Sequence, residues 1–405
     1  MAPARPFVLD PNGRDIHTEG AELRARGAAT LVELPGEVVA WSVTQPELLR
    51  KLLSDPRVSK NPNLHWAAYR DGEIPEDWPL RIWVSVQNMF TAYGGDHRRL
   101  RSLVSKAFTP RRVEALRPWI EELTTGLLDR LAAGPDSVDL RENFAYPLPI
   151  EVICQLFGVP EEHRPDLRRA VDGVFNTSLS AEDAQANGVL MYGILGQLVA
   201  NGRENPGEDL ASGLIAARDE DGSVLEEAEL IDTLILMISA GHETTVNLLH
   251  HAILALLTHP EELAKVRSGE HTWAEVIDET MRWQAPIANL PLRYAVEDLE
   301  IDGVHIKAGE AILASYAAAG RSPEVHGSDA DEFRLARESK SQHLSFGHGV
   351  HYCLGAPLAR LEAELALPAL FERFPELTLA SEVFELEKMP SFISNGHTSL
   401  PVRLK

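Results

Sequence analysis

The stretch HLSFGHGVHYCLGAPLARLEAE, residues 343–364, contains Cys353, one of two cysteines in 405 residues. Gly347, Gly349 and Gly355 surround it, and an amphipathic helical pattern begins directly behind it, with Pro357 tolerated in the first turn. A sulfur at a helix start receives backbone N–H groups and the positive end of the dipole, and both favour the thiolate, the form that ligates metal. Cys154, inside LPIEVICQLFGVP, reads instead as a small buried hydrophobe. A second unusual place is AGHETT, residues 240–245, which lies within a long apolar helical pattern. A mid-helix Gly costs roughly 1 kcal/mol against Ala, and an unpaired buried carboxylate costs more. Two readings are open: a kink in which the threonines bond back to the preceding turn and Glu243 is paired elsewhere, or a functional notch. Ala240 and Thr244 share a face, and Gly241 clears the space beside them for something flat or bulky. Glu243 is expected to point away from that face, toward solvent.

His348, His351 and Cys353 could suggest zinc, but a closed zinc site needs four ligands, and no second cluster at finger spacing is present in the sequence. A single thiolate suits a cofactor that brings its other ligands with it, as haem does. Two cysteines make no disulfide framework, which suits a reducing compartment.

These motifs resemble those of the cytochromes P450. FGHGVHYCLG is similar throughout to the family's haem-binding signature, and AGHETT to its oxygen-activating motif. ETMR, Glu279 to Arg282, resembles its Glu-x-x-Arg pair, and HRRLR, residues 97–101, its early haem-propionate motif. The four occur in the family's order. The resemblance implies haem b, with Cys353 as the iron ligand, Phe346 beside the sulfur, and Ala240, Gly241 and Gly355 against the cofactor. His97, Arg101, Arg293 and His351 would meet the propionates. Thr244 would hydrogen-bond the oxygen being activated or the water that protonates it, and Glu243 would relay protons. Glu279 and Arg282 would hold the core by ion pairing. The family often has Arg before the Phe of the meander; DADEFRLAR has Glu332 there, so Arg337 is the expected third partner.

The implied reaction inserts one oxygen atom of O2 into a C–H bond of a sizeable hydrophobic compound, steroid-like or macrolide-like. The chain has no flavin or nicotinamide motif, so a ferredoxin and an NAD(P)H-dependent ferredoxin reductase are the expected partners. Arg98, Arg99, Lys106, Arg111 and Arg112 form a candidate docking patch or an ordinary solvated face. A peroxygenase on the same fold and a noncatalytic haem carrier or sensor are the alternatives. Expected substrate walls are the loop from about 64 to 95, the region 175–198, IANLPL and FISNG.

The elements that position these residues read as one mainly helical domain over 1–405 with smaller β regions. LVELPGEVVAWSV reads as a hairpin, followed by a helix with Thr44 as candidate cap. Helical spacing dominates from about 97 to 285, and strands return around Asp302-Gly303. The net charge of −23 argues against nucleic acid and anionic membrane as partners. MAPARPFVLDPNG lacks a signal peptide's apolar run, and no stretch offers eighteen apolar residues, so a cytoplasmic monomer without a membrane span is expected.

Overall fold

The computed structural model describes residues 5–219 and 222–405; the first four residues of the N-terminal segment lie outside that range. The hairpin forms as Ala29–Leu34 and Val38–Val43, turning through Gly36 and Glu37, both at positive φ. It sits in a six-stranded mixed sheet, beside the parallel strand Ala311–Ser315, which in turn pairs antiparallel with Asn289–Ala295. The Asp302-Gly303 turn joins Leu299–Ile301 to Val304–Ile306, with φ of 53° and 79° as a tight hairpin requires. Thr44 is not a helix cap. The helix begins at Pro46 after Gln45, where proline's fixed φ sets the start, and the Thr44 hydroxyl is buried without a partner among the described residues.

The helical body is organised around one element, Glu227–Thr258, of 32 residues. Glu226 and Glu229 cap its start reciprocally, and His259-Pro260 ends it because proline cannot continue the ladder. Residues on all sides of it are buried, as its nearly continuous apolar composition demands. Helices Pro147–Phe157, Ala181–Glu204, Trp273–Trp283 and Ala356–Arg373 pack around it. Gly241 serves this packing: a Cβ there would lie 2.7 Å from Cδ1 of Ile153 on Pro147–Phe157. The helix runs without a break through AGHETT.

Beneath this body Glu279 and Arg282 are both fully buried, joined by two bonds of 2.7 Å. The remaining guanidinium donors reach the carbonyls of Gly320, Ala330 and Glu332 at 2.7–2.8 Å. Arg337 is indeed the third partner, 3.2 Å from Glu279. Glu332 contributes its carbonyl and not its side chain. Among the described residues no helix is long and apolar enough to cross a membrane.

Candidate active site

Cys353 lies in the short link between the turn Gly349–His351 and the helix Ala356–Arg373. Its N–H donates to the Phe346 carbonyl at 2.8 Å, which closes the loop that carries the glycines. At Gly349, φ is 71° and a Cβ would lie 2.6 Å from the Leu53 carbonyl oxygen, so only glycine fits. The loop therefore holds Cys353 at a cavity of about 280 Å³, lined by Cys353 and Phe346 from this loop and by Ala240, Gly241 and Thr244 from the long helix. Burial pushes the Cys353 thiol up; the N–H groups of Gly355 and Ala356 and the charge of Arg101 pull it down without winning. The helix-start donors expected from the sequence are present; the residue is solvent-accessible at the cavity, yet the protein packed around the sulfur outweighs them.

Both threonines bond back along the helix, Thr244 to the Ala240 carbonyl at 2.7 Å and Thr245 to that of Gly241 at 3.3 Å. This is the back-bonding half of the structural reading of AGHETT, without the kink. Both line the cavity, but Thr245 is buried and Thr244 only half-buried. Glu243 does not face solvent. It is fully buried and accepts from Arg141 at 3.0 Å and from Asn247 at 3.1 Å, because helix periodicity turns it toward the π-helical turn Arg141–Ala145. Burial pushes its carboxyl up and Arg141 opposes this; Oε2 has no partner among the described residues. Arg141 was invisible to sequence reasoning, since it arrives from a hundred residues away without a motif.

Four cationic or titratable side chains converge beside the cavity. The rings of His97 and His351 lie 4.2 Å apart, and His97 Nε2 is buried without a partner among the described residues. Arg101 donates to the Tyr352 carbonyl at 2.8 Å, and Arg293, buried, lies beside the Tyr316 hydroxyl. Burial, with the charges of Arg101 and Arg293, pushes His97 down to about 4; burial with Arg293 pushes His351 down as well. Among the described residues no carboxylate pairs with any of the four. Such a ring fits a ligand carrying two carboxylates, and a lone sulfur sharing a cavity with a cleared helix face fits a flat metal macrocycle. The donor set is right for haem. Zinc does not fit. His351 turns toward His97 and not toward the sulfur, and the one trio of metal-type groups among the described residues, His250, His251 and His397, lies elsewhere.

The cavity walls correct part of the expectation. Ile82, Trp83, Val86, Met89 and Phe90 line it from the early loop, and Ile287 and Leu290 from IANLPL. The region 175–198 contributes only Phe175, while Ile153, Leu156 and Phe157 fill the place expected for it. FISNG does not reach the cavity: Phe392 and Ile393 are buried in another core, and Ser394 accepts from Asn247 at 2.9 Å. Lys60, which no motif announced, does line it. The basic stretch is neutralised in part. Arg99 pairs with Glu229 and Asp96, and Lys106 with Asp219, while Arg98, Arg111 and Arg112 have no ion pair among the described residues.

A family model of cytochrome P450 matches residues 197–270 and 273–395. The 2-hydroxy-5-methyl-1-naphthoate 7-hydroxylase of Streptomyces carzinostaticus is 49% identical over 99% of this chain and 98% of its own. The 6-deoxyerythronolide B hydroxylase of Saccharopolyspora erythraea is 38% identical over 96% of each chain. The solved structure of CYP154A1 from Streptomyces coelicolor A3(2) is 55% identical, covers 98% of this chain and 100% of its own, and superposes with a TM-score of 0.93.

Proposed function

The chain belongs to the cytochrome P450 family of haem-thiolate monooxygenases, and from that premise we propose that it hydroxylates a C–H bond of a largely apolar ring compound. The observation that carries the reading is the cavity itself, whose lining brings Cys353 together with Ala240, Gly241 and Thr244. Cys353 would hold the iron of haem b, and His97, Arg101, Arg293 and His351 its carboxylates. Bound there, haem supplies the activation of dioxygen and the transfer of one oxygen atom to substrate.

The chain's own residues position and protonate. Thr244 holds a hydroxyl at the cavity wall, its proton committed to the Ala240 carbonyl and its lone pairs available to a donor in the cavity. Glu243 stores a proton next to that wall: burial favours its neutral form, and releasing Arg141 would swing the carboxyl toward the helix face. The acid and the hydroxyl together favour dioxygen over peroxide as oxidant. Electrons would come from a separate ferredoxin and its NAD(P)H-dependent reductase.

The aromatic walls formed by Trp83, Phe90, Phe157 and Phe175 suit a flat polycyclic substrate, as does the similarity to the naphthoate hydroxylase. A macrocyclic substrate is the second reading, supported by the similarity to the 6-deoxyerythronolide B hydroxylase. The test is turnover of polycyclic aromatic and macrolactone panels under 18O2 with ferredoxin, reductase and NADPH. Incorporation of one labelled atom per product molecule is expected, and product formed only from added peroxide would refute the monooxygenase reading.

A further inference from the structure

Lys60 follows the short edge strand Val58–Ser59, yet it is 2% exposed and lines the cavity. Its ammonium stands 3.4 Å above the Phe90 ring, and its one hydrogen bond among the described residues is a long one of 3.5 Å to the Pro291 carbonyl. Two local features create this seat. Pairing of Ser59 with Tyr294 brings Lys60 against the neighbouring strand. In that strand one extra residue bulges between Leu290 and Arg293, at Pro291, which has no N–H to give the ladder, and the bulge turns the Pro291 carbonyl to the lysine.

An ammonium has three donors, and here a ring face and one distant carbonyl satisfy only part of them. No carboxylate pairs with Lys60 among the described residues, and the nearest charges, Arg293 and His351, are of its own sign or neutral. Burial, reinforced by Arg293, disfavours the charged form of Lys60, and an amine kept where a leucine would pack points to an anion that arrives from outside the chain and restores the charge. Lys60 lines a cavity whose walls are otherwise largely apolar and aromatic, so an anion that reaches it must sit on an apolar body. Phosphate and sulfate, which carry their own hydration, do not meet that description.

We propose that Lys60, cupped by Phe90 and the Pro291 carbonyl, seats a carboxylate carried by a molecule bound in this cavity. Burial, reinforced by Arg293, lowers the empty site's affinity for a proton, so the seat charges when the anion enters. The carboxylate has two possible sources, an acidic substrate and a haem propionate beyond the four residues already assigned. The inference rests on reading the cavity as the haem and substrate site.

The experiment starts from wild-type holoprotein with its reduced, carbon monoxide-bound spectrum recorded first. Absence of a thiolate-type spectrum there sinks the cavity reading itself and is thereby distinguishable from failure of the Lys60 proposal. Lys60→Met, Lys60→Gln and Lys60→Arg are then compared in two arms. One titrates 1-naphthoic acid and its methyl ester by the haem spin-state shift. The other follows transfer of haem, and of haem dimethyl ester, to a scavenger apoprotein.

A substrate carboxylate predicts that Lys60→Met weakens the acid about tenfold, leaves the ester unchanged and is rescued by Lys60→Arg. A propionate predicts about tenfold faster loss of haem, with the dimethyl ester indifferent. Either result supports the seat, and the arm that responds names the source. Equal acid, ester and haem behaviour in all variants overturns it. So does apoprotein of both neutral variants melting below wild type, which would make the lysine a structural group.

Discussion

Two buried charge clusters of this molecule differ in one respect. Glu279, Arg282 and Arg337 form a closed set, in which the guanidinium donors are taken up by the Glu279 carboxylate, by Asp329 and by the carbonyls of Gly320, His326, Asp329, Ala330 and Glu332. His97, Arg101, Arg293 and His351, with Lys60 beside them, form an open set, two guanidinium cations among nitrogen bases, with no anion paired to it among the described residues. A closed cluster completes itself on folding and holds the meander to the helix Trp273–Trp283. An open one leaves its electrostatics unfinished, and what it lacks describes its ligand. Buried charge alone therefore says little about function; its degree of satisfaction says much.

The largest way to test that contrast is to break the closed set. Glu279→Ala leaves the buried Arg282 guanidinium without a carboxylate, while Arg337 keeps Asp329, and a loss of about 3–5 kcal/mol in urea unfolding is expected. A loss under about 1 kcal/mol would show that the cluster is not holding the fold.

Acid should find a third kind of buried group. His242 is fully buried with neither ring nitrogen partnered among the described residues, and burial, with Arg141, pushes it down to about 3. His326, mainly through burial, is likewise held at about 3. Both are neutral in the fold, and the unfolded chain binds their protons first. Stability is complete above pH ~6.5 and falls as pH drops toward 3, by up to about 1.4 kcal/mol per pH unit for each ring. Stability flat across that window would contradict the assignment; His242→Phe should shallow the slope.

Arg293→Leu addresses the open set. The apoprotein should unfold no more easily than wild type, because a buried charge without a partner has been removed, while haem dissociates about tenfold faster, a change of about 1.4 kcal/mol. Destabilised apoprotein with unchanged haem retention would reverse the contrast.

The smallest effect is local. Thr244→Ala should leave folding and haem content intact and lower product formed per NADPH consumed several-fold, with peroxide taking up the difference. Thr245→Ala, buried and bonded to the next carbonyl along, should stay close to wild type. Equal coupling in both variants would return AGHETT to a structural role.

The sequence exposed those features whose chemistry is local. Cys353, its glycines and the helix behind it are contiguous, so the loop was readable before any coordinates, as were the Asp302-Gly303 turn and the end of the central helix at His259-Pro260. Helix spacing placed Thr244 correctly, but it could not say what Glu243 would meet, because Arg141 approaches through tertiary packing. Gly241 seemed to clear space for a ligand; half of its explanation is Ile153, again a partner distant in sequence. Lys60 had no readable signal, since a lysine beside a strand is ordinarily solvated and only the Pro291 bulge buries it. The basic stretch was legible only in part for the same reason: Glu229 and Asp219, which pair with Arg99 and Lys106, lie more than a hundred residues along the chain.

The central claim is that one sulfur, Cys353, holds the iron at the open cluster while the other, Cys154, is packing. The most direct measurement is the reduced, carbon monoxide-bound difference spectrum of wild type, Cys353→Ser and Cys154→Ser at equal protein concentration. A thiolate-type band present in wild type and Cys154→Ser and abolished in Cys353→Ser is the predicted result. A thiolate-type band surviving in Cys353→Ser would contradict the account.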